Sequence, residues 1–312
     1  MLQEVAAARH VVMMCGSTEI DGPAFCLGVN SLKLSYTASP ELQTLPSVTY
    51  LIGRAGLRSK YTANVLERFS LEIRSLAELV DMFHTREATD VRDKVYALLG
   101  MSSDNLEGAD LRPDYEISWK ELFQKFIKFV LGKAVSVEIS DRAQRAAIKS
   151  KGCALGQVSL VRDDDGQNVN IVFTSENAAW CLGDKIEWTL QASAKSIREG
   201  DIVYLLQGAS KSTIIRPCKD HFAIVVIAVT PLKKSGSFRR LEPSKSIVNF
   251  PHDSLLVWDW EKPLEESQDQ EEYETLIRTD NWVLGHLKTE VEGQLDEVIR
   301  TWNVARILRD VK

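Results

Sequence analysis

The sequence predicts an α+β protein with a mainly helical amino-terminal half, a small antiparallel β barrel or sandwich, and a carboxy-terminal helix. Three observations carry this. Apolar residues recur at helical spacing between 75 and 132, alternate with polar residues from about 154, and return to helical spacing after 281. The two periods are segregated along the chain rather than interleaved, which disfavours a doubly wound sheet.

Residues 1–33 open inside a helix, since Met1 to Arg9 is helical by propensity. Val11 to Met14 is a short buried strand candidate, stopped by Cys15-Gly16-Ser17. Asp21 then caps a helix with Pro23 in its first turn. Residues 34–153 form a helical region. Its first part, to about 74, holds two weakly helical segments interrupted by Pro40, Pro46, Gly53 and Gly56. Its basic residues Arg54, Arg58, Lys60, Arg68 and Arg74 are scattered, as on a solvated helical surface. Ser75 with Glu78 makes a capping box for a helix to about His84, with Leu76, Leu79, Val80 and Phe83 as its stripe.

A second helix is expected at 90–99. Asp90 is placed to accept a free backbone N–H as its N-cap, Asp93 lies in its first turn, and Gly100 is placed to end it with positive φ. Ser118 with Glu121 opens a third, burying Leu122, Phe126, Phe129 and Val130 and leaving Lys120, Lys125 and Lys128 outside. Residues 133–153 are helical or loose; the run from Arg142 to Ile148 favours a helix.

A small β domain follows at 154–231. Val158, Leu160, Val169, Ile171 and Phe173 alternate with polar residues, with Asp163-Asp164-Asp165-Gly166 as a turn. Further strands are expected around Ile186, Trp188 and Leu190, over Asp201 to Leu206, over Thr213 to Ile215, and over Phe222 to Val229. Gly200-Asp201 reads as a tight turn, and Gly208 ends a strand before another turn. Residues 232–280 read as polar linker and loop, interrupted by the strand-like Leu255 to Trp260, with an acidic run from Glu265 to Glu274. Residues 281–312 are helical through Val291, Leu295, Val298 and Trp302. They weakly resemble the first helix of a tetratricopeptide repeat, and are read as a packing helix or the edge of a repeat array.

Of the 312 residues, 44% are hydrophobic and 26% charged, an ordinary globular balance. A net charge of −6 without a dense Lys/Arg run argues against nucleic-acid binding. The five cysteines, Cys15, Cys26, Cys153, Cys181 and Cys218, are odd in number, widely spaced and free of any CxxC. That fits reduced thiols rather than a disulfide framework or zinc site. No signal peptide or membrane span is visible, so a cytoplasmic protein is expected. His10, His84, His221, His252 and His286 fall in no metal-binding spacing, and no GxSxG, P-loop or GxGxxG occurs. The aspartate triplet lacks the alternation of a calcium loop. No catalytic, cofactor-binding or metal-ligating residue is assigned, and no cofactor is expected.

The stretch from Ala88 to Gly100, ATDVRDKVYALLG, resembles the "ATDPRDKIYALLGL" signature of fungal heterokaryon-incompatibility (HET) proteins, with Val91 in place of the usual proline. Pro113-Asp114-Tyr115 and the amphipathic helix after it resemble the proline-aspartate-tyrosine and helix that come after the signature in that family. Gln3-Glu4, Ala7, Cys15-Gly16 and Phe25 match the order of the end of a HET domain. Gly200-Asp201 through Gly208, then Ile214-Ile215-Arg216-Pro217, resemble two later family blocks. The residues that carry the resemblance are therefore Gln3, Glu4, Asp90, Arg92, Asp93, Tyr96, Gly100, Pro113, Asp114, Tyr115, Gly200, Asp201, Gly208 and Arg216.

The resemblance implies a protein of fungal non-self recognition, in which incompatible alleles trigger regulated cell death. The family's tryptophan-rich amino-terminal block has no counterpart here, so residues 1–33 resemble the remnant of a HET domain. The resemblance thus implies a non-enzymatic sensor or regulatory module with a protein partner, an allelic or non-allelic incompatibility protein. Self-association through an exposed amino-terminal edge is a further expectation. Two alternatives stay open: an NAD-hydrolysing Toll/interleukin-receptor-like activity in an intact protein, which would engage Glu4, and an inactive structural fragment. For Glu4 itself a buried capping or salt-bridge role is expected.

Overall fold

A computed structural model describes residues 2–32, 42, 45–55, 70–140, 145–162, 168–173, 185–190, 197–218, 221–229, 250 and 252–260. The chain forms two compact units, the first built mainly from residues 1–122 and the second mainly from 123 onward. The expected turn at 163–166, much of the segment 34–74, the loop at 232–249, the acidic run and the helix at 281–312 lie outside the described residues.

In the first unit, helix α1 (Leu2–Ala7) precedes strands β1 (Val12–Cys15) and β2 (Thr18–Asp21), an antiparallel ribbon turned at Gly16-Ser17. Helix α2 (Gly22–Ser31) follows with the expected cap: Asp21 Oδ1 accepts the Ala24 N–H at 3.1 Å, and proline occupies the first turn. β1 is not the buried strand that its apolar residues imply, for Val12, Met14 and Cys15 are exposed. Helices α3 (Leu45–Arg54), α4 (Leu76–Phe83) and α5 (Asp93–Leu99) also belong to this unit, with α1 against α3 and α5.

The capping box of α4 is present: Glu78 Oε2 accepts the Ser75 N–H at 3.2 Å and the Ser75 hydroxyl at 2.7 Å. All eight of its residues are buried, including Glu78 and Asp81, where the sequence shows only a stripe. Arg74 Nη1 donates to Glu78 Oε1 at 2.8 Å, and Asp104 Oδ2 accepts the Leu76 N–H at 2.7 Å. These bonds satisfy the start of a helix that has little water around it. His84 is buried and bonded at Nδ1 to Val80 O, a satisfied core histidine.

Helix α6 (Trp119–Leu131) begins as expected, with Ser118 Oγ accepting the Glu121 N–H at 3.2 Å. Its buried face is Leu122, Phe123, Phe126, Ile127 and Leu131; Phe129 and Val130 are only half-buried. The face is thus rotated from the one expected. The reason is aromatic: Phe123 and Phe126 pack on Trp258 and Trp260, with ring centroids 5.1–6.0 Å apart.

The second unit corrects the predicted fold class. It holds an eight-stranded mixed sheet, not a small antiparallel barrel or sandwich appended to a mainly helical half. Its strands are β3 (Ser136–Ile139), β4 (Arg145–Arg162), β5 (Asn168–Phe173), β6 (Lys185–Thr189), β7 (Ile202–Leu206), β8 (Thr213–Pro217), β9 (Phe222–Val226) and β10 (His252–Asp259). The order is β10-β9-β8-β7-β4-β5-β6, with β3 also on β4. β10 runs parallel to β9 and antiparallel to β4, so the pairings β4-β7-β8-β9-β10-β4 form a closed cycle.

One stretch overturns the sequence reading. Residues 136–139 and 145–153 are extended, not helical or loose. Arg145-Ala146-Ala147-Ile148 has helix-favouring residues, but it is paired with β3 on Val137–Ile139 and with β10 on Leu256–Asp259, and that pairing overrides propensity. The strand-like piece expected at Leu255–Trp260 is a strand through Asp259, within β10. β7 and β9 are buried at every residue, which accounts for their continuous apolar runs, Ile202–Leu206 and Phe222–Val226. Cys153, Leu155, Val158, Ile171, Phe173, Trp188, Val203 and Leu205 share one core.

Candidate functional site

A network of polar residues in the first unit lies around the start of α5. Asp90 accepts the Arg92 N–H at 2.9 Å, forming an Asx turn. The same carboxylate holds the Arg92 guanidinium at both oxygens, Nε to Oδ1 at 2.9 Å and Nη2 to Oδ2 at 2.6 Å. Tight bonds from Asp93 N to Asp90 O and from Lys94 N to Val91 O lead into the helix. α5 therefore starts at Asp93, three residues later than expected. Asp90 caps the turn before it, not the helix itself.

The free side of Arg92 reaches a loop more than twenty residues on. Nη1 donates to Tyr115 O, and to Ile117 O at 3.0 Å. The guanidinium carbon lies 5.3 Å from the Tyr115 ring centroid. Tyr115 Oη donates to Asp93 Oδ1 at 2.6 Å, Tyr96 Oη donates to Asp114 O at 2.9 Å, and the two rings meet edge to face at 5.4 Å. Asp114 Oδ1 accepts the Glu116 N–H at 2.9 Å and so turns the loop. Pro113 is exposed at its start. Asp90, Arg92, Asp93, Tyr96, Asp114 and Tyr115 are thus brought into one brace that ties residues 113–117 to α5.

Gln3 and Gly100 belong to the same neighbourhood. Gln3 Nε2 donates to Ala97 O at 2.6 Å. Gly100 has φ −70, so positive φ does not explain this glycine. A Cβ there would sit 3.2 Å from Gln3 Nε2, and close approach of the Gln3 amide is the reason that the structure supplies. Glu4 is exposed in the first turn of α1, and the expected buried role gives way to a surface position.

The charge pairing sets the electrostatics. Hydrogen bonding from Arg92 holds the Asp90 carboxyl down at about 2, and the bond from Tyr115 to Asp93 pushes the Tyr115 phenol up. An Asp with a depressed folded pKa stabilises the fold above its unfolded pKa, and that contribution is lost as pH falls through the folded value. The brace is expected at full strength above about pH 4 and to fade towards pH 2. A carbon-detected titration of Asp90 checks this, with Arg92→Ala expected to raise the midpoint towards, but not fully into, the ordinary carboxylate range, because the backbone N–H at 92 still donates to Asp90.

In the second unit, Gly200 and Gly208 flank β7 with φ +96 and +84. Asp201 is buried and grips Arg216 at 2.8 and 2.9 Å through Nε and Nη2, and it also accepts the Arg198 N–H at 2.8 Å. Gln157 Nε2 donates to Gly200 O at 3.0 Å. Gly200, Asp201, Gly208 and Arg216 thus shape the β7–β8 hairpin, and Gln157 holds it to β4.

Sequence reasoning missed three buried contacts that join residues far apart in the chain: Arg145 with Asp259, Tyr204 with Ser254, and the Phe123/Phe126 aromatics with Trp258/Trp260. Periodicity marks such residues as core but carries no signal for their partners. Among the described residues no group of three or more His, Cys, Asp or Glu is placed to hold a metal ion, and no helix is long and apolar enough to cross a membrane. Compared with family models, curated proteins and solved structures, the chain matches none.

Proposed function

We propose that this chain is a non-enzymatic interaction module of the heterokaryon-incompatibility type, acting through a protein partner in fungal non-self recognition. The family reading rests on the sequence resemblance. The observation that carries the interaction reading is where apolar surface lies. Five of the seven large apolar residues exposed among those described fall between 12 and 32: Val12, Met14, Ile20, Leu27 and Leu32. Met14 and Leu27 are each 69% exposed. Apolar surface concentrated on one short segment is the usual mark of a contact site. Supporting this, Asp90, Arg92, Asp93, Tyr115, Asp201 and Arg216 are engaged with one another, an architectural use of acids and bases.

The test is expression of residues 1–312 in fungal cells undergoing incompatible fusion, beside Leu27→Glu. The module is expected to change the frequency of partner-dependent death, and the charged variant to lose that effect while keeping its near-ultraviolet circular dichroism. No change in death with either form overturns the proposal. A fall in cellular NAD driven by the chain overturns its non-enzymatic part.

A further inference from the structure

We propose that β1 is an association strand: two copies of this chain pair through their β1 edges, antiparallel about a two-fold axis at Met13, to make a four-stranded sheet ordered β2-β1-β1-β2. This deepens the interaction-module reading by naming a partner, and its biological meaning rests on that reading.

The ribbon β1–β2 is a two-stranded sheet of its own, and no described strand pairs with either outer edge. Two strands alone are marginal in water. This ribbon also exposes Val12 and Met14 on one face and Ile20 on the other. Cross-strand partners share a face, so Val12 and Met14 lie with Asp21 and Glu19, while Met13 lies with Ile20.

The phase of the ladder decides how the outer edges can pair. Gly22 N donates to Val11 O at 2.8 Å across the ribbon. Antiparallel bonding alternates along a strand, so Val11, Met13 and Cys15 bond inward, and the N–H and C=O groups of Val12 and Met14 point outward. A two-fold axis at Met13 sets Val12 of each copy opposite Met14 of the other, which uses all four outward groups per pair of residues. On one face this assembles two Val12 and two Met14 side chains. On the other it makes a continuous stripe, Ile20-Met13-Met13-Ile20.

The same construction on β2 fails. Its outward residues are Glu19 and Asp21, so an axis at Ile20 places Glu19 of one copy opposite Asp21 of the other. Like charges directly opposite are destabilising. The two edges therefore differ in kind. β1, Val12-Met13-Met14-Cys15, has no charge to prevent pairing with its own copy, whereas β2 carries the acidic residues that blunt an edge. Pairing through β1 leaves both acidic β2 strands outermost. The assembly then closes at two copies instead of growing.

The experiment is sedimentation velocity of residues 1–312 from low to high micromolar concentration. A monomer–dimer equilibrium is expected. Met13→Lys places two ammonium groups face to face at the axis and is expected to weaken association at least about tenfold; Glu19→Gln is expected to leave a dimer. Circular dichroism confirms that both variants are folded. A positive readout comes from Met13→Cys in a Cys15→Ser background, which should cross-link the dimer under mild oxidation. Ile20→Cys in the same background should not, because three strand spacings, roughly 14 Å, separate the two copies. A monomer at every concentration, open-ended growth, or cross-linking at 20 in place of 13 overturns the proposal. A monomeric chain that still changes death in the fungal assay rejects the dimer and keeps the module, whereas a dimer without effect on death does the reverse.

Discussion

Replacing Asp259 with alanine is expected to cost about 3–5 kcal/mol of unfolding free energy, the usual cost of removing one partner of a buried ion pair. Asp259 closes β10 directly opposite Arg145, the first residue of β4, and its Oδ2 accepts from Arg145 Nε at 2.6 Å. Both side chains are less than a tenth exposed. Arg145 and Asp259 are both buried, so little water is available to solvate a guanidinium that has lost its Asp259 partner. The loss should appear in urea denaturation as a lower midpoint. Arg145→Met with Asp259→Leu removes both charges together and is expected to recover most of the loss. If Asp259→Ala shifts the midpoint no more than an exposed substitution does, the pair does not hold the β4–β10 seam.

Gly152→Ala is expected to be nearly as damaging, by about 3 kcal/mol, the upper end of the usual cost of overpacking. A Cβ at 152 would come within 2.7 Å of Tyr204 Cζ and closer still to Cε1. The ring has no easy retreat. Tyr204 is buried on β7, stacks on Phe222 at 6.2 Å and hydrogen-bonds Ser254 on β10. Burial pushes its phenol well up from the ordinary tyrosine range, so it stays a neutral hydrogen-bonding group across ordinary pH. The clash is specific to one pair, which makes a double-mutant cycle informative. Tyr204→Val is destabilising alone, but Gly152→Ala should cost far less in that background. Equal costs in both backgrounds would show that strand conformation, not the tyrosine ring, is what requires glycine at 152.

The two substitutions test the seam that the sequence did not disclose. The run of strands after residue 154 was legible, because half-buried strands alternate and fully buried ones read as unbroken apolar runs. The helix caps at Asp21, Ser75 and Ser118 were legible too, since a cap is a bond between residues three apart. The large mixed sheet was not. Its extra strand length, 145–153, carries alanines and basic residues that look helical until β3 and β10 are placed on either side of it. The partner strand lies about a hundred residues away, and no local pattern records which distant segment will supply the missing hydrogen bonds.

The candidate site divides along the same line. By itself the sequence determined that Asp90, Arg92, Asp93 and Tyr96 stand at the start of a helix, that an Asp-Tyr loop comes after it, and that Gly200 and Gly208 bracket a strand. Those are statements about neighbours, and local sterics and capping decide them. Only the tertiary structure decided that Arg92 spends its guanidinium on Asp90 and on the carbonyls of Tyr115 and Ile117. It also decided that the close neighbour of Gly100 is the Gln3 amide, at an ordinary helical φ, and that β1 is exposed. Apolar composition alone makes Val12-Met13-Met14 look buried. Whether an apolar strand is covered depends on what folds over it, and that is fixed by the rest of the chain.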